Sequence, residues 1–274
     1  MKAIFIIIRF SILQNSMKGW NLNTSSNDFE EYRDKLFSDE RMLDRLKLFE
    51  EITLESLISQ SIDYRSVGAK VLILISNELP DKYVTNLDIL IKPYEWIETI
   101  KVSSSGPNYQ QIILEQLATY SENIHLATVR LDDDDALPIN FLESIDKYNN
   151  ECFKGLALSF GDGYAAIYSN KLKKIEVFKK YYYPKVAIGF TYFNKYLHET
   201  HSLTTKFPTV YHLGKHSNSD TRVPVIVDSR IKGFIRCIHP FSDTYDSWYK
   251  KIMKLETENT TVVLSKFAIK KSIL

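Results

Sequence analysis

Three observations predict an α/β fold with a mainly parallel sheet flanked by helices. Four runs rich in β-branched and apolar residues recur at 3–8, 70–75, 96–102 and 124–131. The first, second and fourth are near-continuous, as in strands buried on both faces. Segments of helical period separate the runs, and Gly, Pro and Ser clusters mark several of the joins. Strands alternating with helices in this way build a parallel sheet, whose ligands lie beyond the carboxyl ends of the strands.

Along the chain, 3–8 is the first strand. Residues 11–27 are polar, contain Gly19 and read as a loop. Residues 29–62 read as helix in two pieces, with Leu43, Leu46, Phe49, Glu50, Leu54, Leu57 and Ile58 on one stripe and Thr53 capping the second piece. Strand 70–75 follows. Pro80 closes the next loop, 82–91 forms a short helix, and 96–102 is the third strand. After the turn Ser103-Ser104-Ser105-Gly106-Pro107, residues 109–120 form a helix with Ile112, Ile113, Leu117 and Ala118 on its apolar side. Strand 124–131 ends in an acidic run, and Pro138 stands near the start of a helix over 139–148. In the second half, 155–160 and 164–168 read as short strands joined by a Gly161-Asp162-Gly163 hairpin turn. Residues 171–180 are basic and of open type, 186–192 reads as a strand, and 198–228 is rich in His, Ser, Thr and Asn, as loops around a site are.

The 274 residues suffice for a buried core and suggest one domain. With 35 basic and 34 acidic side chains, the net charge of +1 argues against nucleic acid as a partner. Cys152 and Cys237 form no CxxC pattern, so free thiols in a reducing cytoplasm are expected, not a disulfide or a zinc site. The opening run 1–9 is short and interrupted by Arg9, which favours a buried strand over a signal peptide. No stretch is long enough to span a bilayer. A cytoplasmic protein is therefore expected; the basic segment 171–174 and the cluster Tyr181-Tyr182-Tyr183 are candidates for peripheral contact with the inner membrane face, against the reading of a solvated basic face.

Asp132-Asp133-Asp134-Asp135 is the segment that points to chemistry. Four adjacent carboxylates repel one another unless a cation or water shields them. On a solvated loop they would only favour a helix N-terminus. Here they emerge from an apolar strand at the functional edge of the sheet. In an extended segment alternate side chains share a face, so Asp132 and Asp134 would converge, as would Asp133 and Asp135. Hard oxygen ligands of this kind suit Mg²⁺ or Mn²⁺. The spacing of an EF-hand is absent.

Arg130-Leu131-Asp132-Asp133-Asp134-Asp135-Ala136-Leu137 resembles the R-L-D-x-D-D-A-L segment of the rhamnosyltransferase family, itself similar to the large GT-A-fold glycosyltransferases. Arg9-Phe10 matches that family's early R-F motif. The stretch 45–50 (RLKLFE) and the stretch 56–60 (SLISQ) match its R-x-x-L-F-E-like helix and S-L-x-x-Q. The match is close over the first half and loose over the second, and Asp133 occupies the variable position. The resemblance implies a GT-A-like Rossmann-type fold, with a nucleotide-sugar-binding half over 1–150 and an acceptor-binding half over 151–274. It implies transfer of a sugar, rhamnose among the candidates, from a nucleotide-diphosphate donor to a glycan or lipid-linked acceptor, with Mn²⁺ or Mg²⁺. On that basis Asp132 is assigned to the donor and Asp134 to the cation, with Asp135 assisting.

Other candidates follow from residue type. Arg9, in a buried strand, needs a partner that a phosphate or a structural carboxylate would supply. His216 is a candidate metal ligand and Lys215 a phosphate partner, the rival reading being an unpartnered surface loop. His212 and His239 are weaker candidates, and His198 with His201 reads as a solvated pair. Asp162 is the first candidate for a general base in an inverting reaction, against ordinary turn chemistry, with Asp220 and Asp228 as alternatives. Two other classes compete. A nucleotidyltransferase would usually place a Gly-rich phosphate loop after the first strand, where Arg9-Phe10-Ser11-Ile12-Leu13 has no glycine. A non-catalytic cation- or glycan-binding module is the third reading.

Overall fold

Strand β1 (Lys2–Phe10) lies inside the main sheet because both of its faces are apolar. Ile4, Ile6 and Ile8 enter one core, while Ala3, Phe5 and Ile7 enter another on the opposite face. The computed structural model describes residues 1–14, 29–242 and 245–274, with the side chain of Asp246 left aside. Most of the loop expected over 11–27 thus lies outside the described residues.

Around β1 stand β2 (Ala69–Ser76), β3 (Ile97–Val102), β4 (Ile124–Asp132), β5 (Ala157–Ser159), β8 (Phe190–Leu197), β9 (Ser202–Leu203) and β10 (Val225–Val227). The order is β10-β5-β8-β4-β1-β2-β3, with β9 on β8. Along that path only β8 runs against the others, so the sheet is mixed and mainly parallel. A smaller sheet, β11-β6-β7-β12, is built from β6 (Asp162–Ser169), β7 (Lys174–Tyr182), β11 (Lys232–Ile238) and β12 (Thr257–Glu258).

The helices are α1 (Phe29–Leu36), α2 (Asp39–Leu48), α3 (Asp81–Ile91), α4 (Tyr109–Leu117), α5 (Phe141–Tyr148), α6 (Tyr245–Met253) and α7 (Thr260–Leu264). After α2 the helix passes through one π turn, Phe49–Leu54, and ends with Glu55–Ile58. The break within 29–62 therefore falls between α1 and α2, and Thr53 is buried inside the π turn instead of capping a helix. Met42 takes the buried place on the stripe, while Leu43 is 56% exposed.

Two readings of the second half change. β5 and β6 are not a hairpin: β5 belongs to the main sheet and β6 to the smaller one. Gly161 between them and Gly163 within β6 serve close packing. A Cβ on Gly163 would lie 2.5 Å from the carbonyl oxygen of Phe234. The strand expected at 186–192 begins only at Phe190, after Gly189 at φ +69°, and runs on to Leu197. Because β5, β8 and β10 complete the main sheet, residues beyond 150 supply strands to the same sheet as residues before it.

Candidate active site

The three sequence motifs of the first half form one assembly. β1 and β4 are parallel neighbours in a register that sets Arg9 opposite Asp132 at their carboxyl ends. Phe10 packs edge-on against Phe49 at 5.9 Å, which joins the end of β1 to the helix that follows α2. From α2, Arg45 reaches across to Asp133 with a forked pair of hydrogen bonds, Nε donating to Oδ2 at 2.9 Å. Further along the helix, the Ser56 hydroxyl accepts from the Leu137 N–H at 3.3 Å. The Gln60 amide donates to the Pro138 carbonyl at 3.0 Å and accepts from the Leu142 N–H at 3.0 Å. These polar helix residues clamp the loop that carries the acidic run.

Strand geometry stops at Asp132, so the expected alternation of side chains does not extend through the run. Each carboxylate has its own partner. Asp132 lies 3.5 Å from Arg9 and 3.4 Å from Arg130, with its side chain 32% exposed. Asp133 is 1% exposed and is held by Arg45, so the variable position of the motif is a structural anchor. Asp134 accepts from His239 Nε2 at 2.7 Å. Asp135 accepts from the Cys237 N–H at 2.9 Å. The next residue, Ala136, exchanges backbone hydrogen bonds of 3.0 and 2.9 Å with Ile235, tying the loop to β11.

Environment separates the charges of these groups. Burial opposes ionisation of Asp132, but Arg130 and Arg9 outweigh it and hold the carboxyl well below the usual range. Burial likewise opposes ionisation of Asp134, and the His239 hydrogen bond with the Arg45 charge keeps its value low. Asp135 goes the other way: burial, then the charges of Asp134 and Asp132, push its carboxyl well above the ordinary value.

The four carboxylates line a cleft of about 640 Å³ together with Arg9, Arg41, Arg45, Arg130, Lys215, His216 and Arg236. Tyr183 and Trp248 add an aromatic wall. Tyr211 lies beneath the guanidinium groups of Arg9 and Arg130, at 5.3 and 5.8 Å from ring centre to carbon. Its own ring is stacked on Tyr109 at 4.2 Å, and its hydroxyl donates to the Ile7 carbonyl at 3.1 Å. Arg130 Nε is buried without a hydrogen-bond partner among the described residues.

Lys215 and His216 follow Gly214, whose φ of +73° turns the loop toward the cleft. His216 Nδ1 contacts the Lys185 carbonyl, which can only accept, so the proton is on Nδ1 and Nε2 is an acceptor. Burial, the leading cause, lowers its pKa and favours the neutral ring. Asp162 is not brought to the cleft. It pairs with Lys232 at 2.6 Å, at the far end of β11 from Cys237. Asp220 pairs with Lys185, and Asp228 with Arg230 and the Tyr148 hydroxyl. His198 and His201 stand ring to ring at 5.4 Å, outside the cleft lining.

His239 is the residue that sequence reasoning undervalued. It is 1% exposed, directly behind Asp134, with Nδ1 lacking a hydrogen-bond partner among the described residues. Its only sequence signal is its place just past the apolar run of β11, and the contact depends on how β11 meets the acidic loop. Among the described residues no three His, Cys, Asp or Glu side chains form a complete metal-ligand set. Asp134 offers an oxygen donor to the cleft, and His239 stands behind it and orients it through Nε2. Phosphate oxygens and water would fill the other positions, a division usual for Mg²⁺ bound with a nucleotide.

A carboxylate run thus stands at the carboxyl edge of a mainly parallel sheet and faces a cluster of arginines. The family described as "Putative rhamnosyl transferase" matches residues 3–250, and the chain belongs to that family of glycosyltransferases. No curated protein matches the chain. Among solved structures it is similar to a mannosyltransferase from Pyrobaculum calidifontis in complex with GDP-Man and Mn²⁺, at 12% identity and TM-score 0.43, covering 93% of this chain and 65% of that one. It thus spans less than two thirds of that protein's length. It is also similar to the inositol-1-phosphate CTP transferase from T. maritima, at 15% identity and TM-score 0.36, covering 93% and 96% of the two chains. Likeness at this level carries no functional argument.

Proposed function

We propose that the chain transfers a sugar, rhamnose first among the candidates, from a nucleotide-diphosphate donor to a hydroxyl of a glycan or lipid-linked acceptor. The observation that carries this reading is the meeting of Arg9, Arg130 and the acidic run in one cleft of a chain that belongs to this family. Arg9 and Arg130 face the diphosphate. Asp132 and the Tyr211 ring hold both guanidinium groups in place, so they need little reorganisation as negative charge grows on the leaving diphosphate. Lys215 and His216 flank the same cleft as a further cation and a neutral imidazole. Asp134 would hold Mn²⁺ or Mg²⁺, oriented by His239 behind it, with Asp135 beside it. When bound, that cation supplies Lewis-acid stabilisation of the diphosphate. Arg45 acts at a distance from the donor by fixing the acidic loop through Asp133.

Lodging in the cytoplasm, where nucleotide sugars are made, fits this reading. No helix of the described residues is long and apolar enough to cross a membrane. The three tyrosines at 181–183 do not form one membrane-facing patch: Tyr181 is buried, Tyr182 is 60% exposed and Tyr183 lines the cleft. In the basic segment, Lys173 is engaged with Asp44 at 2.6 Å.

A thermal-shift screen of nucleoside diphosphates and nucleotide sugars, with and without Mn²⁺, tests the proposal. A cognate donor at a hundredfold its Kd adds about 2.7 kcal/mol, which for a chain of this size raises Tm by roughly 5 °C or more. Absence of a shift with every nucleotide sugar in the presence of cation would refute it.

A further inference from the structure

A second hollow, of about 450 Å³, shares no lining residue with the cleft. It lies between the segment 58–65, just after the helix that clamps the acidic loop, and the turn 93–96 that leads into β3. This is the amino end of β3, away from the carboxyl edge where the acidic run emerges.

One wall is aromatic. Tyr64 and Trp96 stack at 3.5 Å with 12° between their planes, and Tyr94 tilts against Trp96 at 5.7 Å. Tyr64 is buried beneath, while Tyr94 and Trp96 remain partly exposed. The rim is polar and nearly free of unspent positive charge. Asp63 and Glu95 offer oxygen acceptors, and the one guanidinium among the described residues that line it, Arg65, is paired with Glu95. The arginine cluster of the cleft has no counterpart here, so a phosphate-bearing ligand finds little to hold it. Partly exposed aromatic faces beside carboxylate oxygens suit an uncharged ligand with apolar C–H faces and hydroxyl edges. A pyranose ring has that form.

We propose that this hollow is a carbohydrate-binding site separate from the transfer cleft, taking a neutral segment of a glycan chain with a sugar ring on Tyr94 and Trp96 and hydroxyls on Asp63 and Glu95. The site goes beyond the transferase reading and depends on it only in that the protein meets glycans. The ligand is either a distant part of the acceptor chain or a separate glycan, and both present the same chemistry.

The test is saturation-transfer NMR on the full chain with a neutral rhamnose hexasaccharide and, separately, a mannose hexasaccharide. The cleft is first filled with a nucleoside diphosphate and Mg²⁺. Transfer to the sugar protons is expected for the wild type and at least fivefold weaker for Tyr94→Ala. Trp96→Phe keeps a ring on Tyr64 and serves as the second variant should Tyr94→Ala lower Tm; it is expected to weaken transfer at least twofold. Binding that requires the nucleotide in the cleft marks the ligand as a segment of the acceptor chain. Binding equal in both conditions marks a separate glycan. No transfer from the wild type to either sugar overturns the proposal, as does transfer that survives both aromatic variants. Nucleotide-induced thermal shifts in the same samples report on the cleft independently, so failure of one reading is distinguishable from failure of the other.

Discussion

Removing Arg45 tests the claim that Asp133 is an anchor instead of a metal ligand. The pair is enclosed, with side chains 12% and 1% exposed, and the guanidinium engages both carboxylate oxygens. Arg45→Ala leaves a buried carboxylate without its partner, a change that costs about 3–5 kcal/mol. That is a large share of the roughly 5–15 kcal/mol by which a domain is stable. Urea unfolding, followed by the midpoint and slope, measures it. Neutralising the stranded group should recover part of the loss, so Asp133→Asn in the Arg45→Ala background is expected to be less damaging than the two single effects added, by about 2 kcal/mol. Cation affinity of Asp133→Asn, at temperatures where the variant is folded, should stay within threefold of wild type. A cost for Arg45→Ala below about 1 kcal/mol, or strict additivity in the double variant, would refute the reasoning.

Asp134→Asn should lose most cation-dependent donor binding while keeping its fold, checked by Mn²⁺ titration with a nucleotide sugar and by circular dichroism. His239→Gln should reduce cation affinity more than His216→Ala does, because His239 Nε2 is at hydrogen-bond distance from Asp134; calorimetric titration of the two variants decides between them. The Arg230 guanidinium, against burial and with help from the Tyr148 hydroxyl, holds the Asp228 carboxyl below its unfolded value, so its stabilisation is complete above about pH 4 and is lost as pH falls through the folded value. Asp228→Asn should therefore flatten the acid limb of stability against pH, measured by urea midpoints at a series of pH values. Gly163→Ala places a methyl 2.5 Å from the Phe234 carbonyl oxygen and should cost about 1–3 kcal/mol, read from the same unfolding curves.

What could be read from sequence follows from how local each feature is. β1, β2 and β4 are doubly buried, and their uninterrupted apolar runs announce it. Arg9 and Asp132 were legible as strand ends, and their pairing follows from the register of two adjacent parallel strands. Lys215 and His216 come from a polar loop late in the chain and line the cleft. Asp162 was misleading because Gly161-Asp162-Gly163 has turn composition, whereas its glycines admit the close approach of neighbouring segments. The role of Asp133 and the approach of His239 to Asp134 are contacts across 88 and 105 residues, which no local pattern encodes.

The hydrogen bonds between Ala136 and Ile235 have a consequence for the order of folding. They close a loop of about a hundred residues, and contacts of such separation form late because the chain entropy must be surrendered first. The β1–β2 and β2–β3 pairings can form early, yet Asp135 cannot receive the Cys237 N–H until β11 has docked. A fragment ending at residue 150 is therefore expected to gain secondary structure without a shaped acidic loop. In the intact chain, hydrogen-exchange labelling during refolding should show the Cys237 amide becoming protected after those of β1 and β2. Protection at Cys237 as early as at Ile6 would contradict that order.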